Sequence, residues 1–151
     1  MTHCLSETRL FEVALNGCVP YALLKDAAIH FGRSLPDLLD HLSYVVASRY
    51  SANEIDFEVA DAVMNALWVA CVSEDFWADY DRTIPPATNA VYLAFDAGEY
   101  YRTTDPPGTD PELKYTRPLI DAFLAEYVPT RSHPSADSRR SSQRCDDHFG
   151  S

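Results

Sequence analysis

The chain has 151 residues, 46 % of them apolar and 12 % aromatic, enough for one domain with a real core. No apolar run reaches the ~18 residues a spanning helix needs, and the first residues, MTHCLSETRLFEV, lack the basic-then-apolar order of a secretory leader, so the expected location is the cytoplasm. The net charge of −11 disfavours phosphate backbones, which argues against direct nucleic-acid binding and for a basic protein partner, although many acidic surfaces serve solubility alone.

Glu7 to Asn16 reads as a short helix that Gly17 ends in the left-handed conformation. Pro20 opens a second helix, with Tyr21, Leu24, Ala28 and Phe31 as its apolar stripe and Gly32 as its stop. Pro36 opens a third. Leu35, Leu38, Leu39, Leu42, Val46 and Tyr50 follow at helical spacing, with Asp37, His41, Tyr44 and Ser48 on the outer face. His41 lies one turn from Asp37, which gives a surface pair rather than a catalytic base.

Asp56 is a good N-cap for the fourth helix. Ala60, Val63, Met64, Leu67, Trp68 and Cys71 repeat along one face, and Glu58, Asp61 and Asn65 lie opposite. The run Leu67 to Val72 is apolar all round, so this helix is expected to end inside the core. Ser73 to Tyr80 adds a turn or two. Ile84-Pro85-Pro86 breaks the chain.

Asn89 to Tyr101 fits a helix through Ala90, Leu93, Ala94, Ala97 and Tyr101, with Asn89, Tyr92, Asp96 and Glu99 as its polar stripe. The alternation over residues 90–96 also fits a strand, but no other segment offers a partner strand. Gly98 within that helix would cost ~1 kcal/mol against Ala. Asp105 to Pro111 is a loop, Thr109 and Glu112 have capping-box spacing, and Pro118 would start the last helix, with Leu119, Ile120, Phe123, Leu124 and Tyr127 inward.

These elements predict an all-α fold: a compact bundle of five to six helices over residues 1–128 and a disordered polar tail over 129–151. Residues 1–128 hold 20 acids against 8 bases; the tail holds 3 against 4 and no Leu, Ile or Val.

No motif points to covalent or metal chemistry. Cys4, Cys18, Cys71 and Cys145 form no C-x-x-C pair and read as free thiols. The histidines lack ligand spacing, Cys145 to His148 reads as a flexible polar end, and five scattered glycines make no phosphate loop. No cofactor, catalytic residue or metal site is expected. From Ser51 to Asp81, however, there are eight acids and no Lys or Arg, interleaved with Phe57, Phe76, Trp77 and Tyr80. Aromatic anchors among steering carboxylates suit a face that grips a basic protein. The candidate partner-binding residues are Glu58, Asp61, Asn65, Asp75, Trp77, Asp79, Tyr80 and Asp81. For Phe76 and Trp77 a core role is equally consistent.

The segments Asp61 to Trp68, Asp81 to Pro85, Tyr92 to Tyr100 and Lys114 to Ile120 resemble a class of small acidic bacterial proteins, similar in style to colicin-type and polymorphic-toxin immunity proteins. The resemblance covers roughly residues 35–127 and carries over no catalytic residue. It implies a non-enzymatic inhibitor that blocks a basic toxin, monomeric or homodimeric. Two alternatives stand beside it: a small carboxylate-dependent enzyme, perhaps with a divalent metal, and a structural homodimer in which a second chain completes the apolar Leu67 to Val72 segment.

Overall fold

The computed structural model describes residues 5–129. Side-chain caps start four of its helices. The hydroxyls of Ser6, Ser34 and Ser73 and the carboxylate of Asp56 accept hydrogen bonds from the amides of Arg9, Asp37, Phe76 and Val59 at 2.8–3.3 Å. Each satisfies an amide that the helix itself leaves unpaired. The elements are α1 (Glu7–Leu15), α2 (Tyr21–His30), α3 (Leu35–Ser51), α4 (Phe57–Cys71), α5 (Glu74–Tyr80), α6 (Pro86–Ala97), a π turn (Glu112–Thr116) and α7 (Arg117–Glu126). Among the described residues there is no strand, and residues 90–96 are helical. Among the described residues the helix count is seven rather than five to six, because Glu74–Tyr80 is a helix of its own. The expected tail falls almost wholly outside the described residues.

Gly17 and Gly32 end α1 and α2 at φ of +95° and +63°, as their positions require. α6 begins at prolines and has no side-chain cap of its own. Its cap comes from α3. Asp40 Oδ1 accepts from the Thr88 amide at 2.9 Å and from its hydroxyl at 3.2 Å, and Ser43 donates to Thr88 Oγ1 at 3.0 Å. Burial raises the Asp40 pKa in spite of these bonds.

α3, α4 and α6 form the centre, with α1 against α4, and α7 against α3 and α6. Leu38, Leu39, Leu42, Val46 and Tyr50 of α3 meet Val63, Met64, Leu67 and Cys71 of α4 and Val91 and Phe95 of α6 in one buried cluster. The Tyr50 and Phe95 rings meet edge to face at 5.0 Å. Phe57 near the start of α4 packs on Phe95 near the end of α6, and Trp68 near the end of α4 stacks on Tyr92 further back. The two helices therefore run antiparallel.

Five local expectations are corrected. Val69 is 55 % exposed, so the Leu67 to Val72 run is not wholly inside the core; one side of α4 reaches the surface there. His41 does not pair with Asp37. Its Nε2 lies 2.6 Å from Glu7 of α1, since α1 crosses that side of α3. Thr109 and Glu112 form no capping box, because the Thr109 hydroxyl donates to the Pro106 carbonyl and the Glu112 carboxylate accepts from Tyr50. α6 runs Pro86–Ala97 rather than Asn89 to Tyr101, so Gly98 lies just past it, and of the expected inner stripe Ala90, Leu93 and Tyr101 are exposed while Val91 and Phe95 turn inward to meet α3 and α4. Pro118 does sit in the first turn of α7, but the chain arrives through the π turn, not from a loop.

Candidate partner-binding face

Asp61 is the centre of the acidic face. It leaves α4 on the side that α6 packs against. Asn65, one turn on, donates to Asp61 Oδ2 at 3.0 Å. From the end of α6 come Asp96 and Glu99, and Glu99 lies within hydrogen-bonding reach of Asp61. Burial, then Glu99, and more weakly Asp96, push the Asp61 carboxyl up to about 6. Among the described residues no Lys or Arg forms an ion pair with any of these three acids. Three carboxylates held together without a counter-charge repel one another, and a cation brought by another molecule relieves that repulsion.

An aromatic pair adjoins them. Trp68 and Tyr92, both half-buried, stack with centroids 4.1 Å apart and planes 7° from parallel. Burial raises the Tyr92 pKa, with Asp96, Glu99 and Asp61 adding to it. Tyr100 is 63 % exposed, and its hydroxyl is raised chiefly by a hydrogen bond to Glu99. Behind the face, the Arg102 guanidinium donates to the carbonyls of Ala97 and Tyr100 at 2.6 and 2.9 Å. A cation at a helix C-terminus is well placed. Asp105 fixes the following loop through Lys114 at 2.5 Å, the Arg102 amide at 2.8 Å and the Tyr115 hydroxyl, and these bonds pull its pKa down to about 2.

The eight residues singled out from the sequence do not form one face. Asp61 and Asn65 belong to the α4–α6 cluster. Glu58 is exposed and lines a different cleft, beside the α3–α4 turn. Asp75, Trp77, Asp79, Tyr80 and Asp81 sit on and just after α5. There α2 supplies what the sequence stretch lacks: Tyr21 donates to Asp79 at 2.5 Å, and Lys25 Nζ lies 3.9 Å from the same carboxylate. Arg82 lies 5.1 Å from the Trp77 ring centroid. The Trp77 indole N–H is buried without a hydrogen-bond partner, and Tyr80 packs on the fully buried Phe76. Asp75 and Asp81 are exposed, Asp81 at a left-handed φ of +51°. The α5 aromatics are thus largely packing residues, and its acids are partly neutralised.

Asp96, Glu99, Trp68, Tyr92 and Tyr100 were not among the sequence candidates. Their signal was present in two halves: a polar stripe on each of two helices. The antiparallel packing of α4 on α6 joins the halves. Among the described residues no group of three or more His, Cys, Asp or Glu is arranged to hold a metal ion, and no helix is long and apolar enough to cross a membrane. In comparisons with protein-family models, curated proteins and solved structures, nothing matches this chain.

Proposed function

We propose that this chain is a non-enzymatic binding protein that captures a basic protein on the α4–α6 face, most concretely as an immunity-like inhibitor of a basic bacterial toxin. The observation that carries the reading is the uncompensated trio Asp61, Asp96 and Glu99 beside the Trp68–Tyr92 stack. Lysines or arginines of the partner lower the Asp61 pKa by supplying the missing counter-charge. The rings give apolar contact area next to that charge, where an interface needs anchors. A toxin that holds phosphate through basic residues meets in this face a substitute for its substrate's charge. Association is fast and weakens with salt.

Co-expression with the product of the neighbouring gene tests this. The expected result is co-purification at low salt, loss of the complex at high salt, and loss of capture in a D61K/E99K variant that keeps the native circular dichroism. Failure to capture any basic protein, or equal capture by the variant, overturns it. The second reading is a carboxylate-dependent enzyme, favoured by the close Asp61–Glu99 contact and the raised Asp61 pKa. Calorimetry with Mg²⁺, Mn²⁺ and Ca²⁺ separates the two, since the binding-protein reading expects no heat from any of them.

A further inference from the structure

We draw no further inference here: the strongest candidate, the largely apolar groove between the start of α6 and the end of α7, lined by Pro86, Ala87, Phe123, Glu126 and Tyr127, carries nothing because nothing in the structure shows what covers it.

Discussion

Replacing Gly98 by alanine separates two lines of reasoning by sign. Local propensity alone, through the smaller freedom of the unfolded chain, makes Gly98→Ala stabilising by up to ~1 kcal/mol. Its backbone gives no reason against the change, since φ is −87° and ψ is −4°. The surroundings do. A Cβ at this position would lie 2.1 Å from Thr116 Oγ1, 3.1 Å from Phe57 Cε2 and 3.2 Å from Thr116 Cβ. Thr116 is fully buried, and its hydroxyl donates to the Ala94 carbonyl at 2.7 Å, tying the π turn to α6. Turning the hydroxyl away breaks that bond, at about 0.5–1.5 kcal/mol, and still leaves the crowding by Phe57 and the Thr116 methine. Overpacking of this kind costs about 1–3 kcal/mol. Set against the propensity gain, Gly98→Ala is expected to destabilise by ~1–3 kcal/mol, which in urea lowers the midpoint by about 1 M. The cost should shrink in a Thr116→Ala background, where the closest atom is gone. A Gly98→Ala protein as stable as the native one, or additive effects of the two substitutions, would refute the proposed close approach of α6 and the π turn.

The Asp61 carboxyl sits at about 6 in the fold against an ordinary 3.8. A raised carboxyl penalises the ionised form, so its destabilisation is full above about pH 6, fades through that window and is gone below 3.8. Asp61→Asn is therefore expected to be more stable than the native chain at pH 8, by about 1 kcal/mol after solvent screening, with the gap closing toward pH 4. A gap that widens on acidification contradicts the repulsion. Asp40→Ala removes the α6 cap and should cost about 0.5–2 kcal/mol in thermal melts, with Asp40→Asn closer to native because it keeps an acceptor. Equal melting of Asp40→Ala and the native chain would show that the cap is idle. Burial and then Asp40 push the Cys71 thiol up to about 12, whereas Cys18 is exposed. Peptide mass spectrometry after iodoacetamide at pH 8 should find Cys18 modified and Cys71 untouched until denaturant is added; equal labelling would contradict the burial.

Most of the helices were legible because their signals are local. Ser34-Leu35-Pro36 and Asp56-Phe57 mark helix starts by hydrogen bonds that span three residues, and the stripes Leu35 to Tyr50 and Ala60 to Cys71 follow from the period of one helix. Ala60, Val63, Met64, Leu67 and Cys71 of the inner face of α4 are buried as that period requires, whereas Trp68 is half-buried and turns to Tyr92 on the side that carries Asp61. The site was only half legible. Asp61 and Asn65 were read from one helix, but the acids that perturb Asp61 lie 35 and 38 residues further on, at Asp96 and Glu99. The stretch from Ser51 to Asp81 has no positive charge in sequence, yet in space α2 sets Lys25 beside Asp79.

The sequence by itself determined the all-helical class, the capped starts of α3 and α4 with most of their inner faces, and the surplus of negative charge, because each follows from residues within a turn or two of one another. Only the tertiary structure decided which polar stripes meet, that Asp40 of one helix caps another, and that a π turn rather than a proline break leads into α7. Those depend on pairings across 20 to 60 residues, where packing selects one arrangement among several that the local rules allow equally.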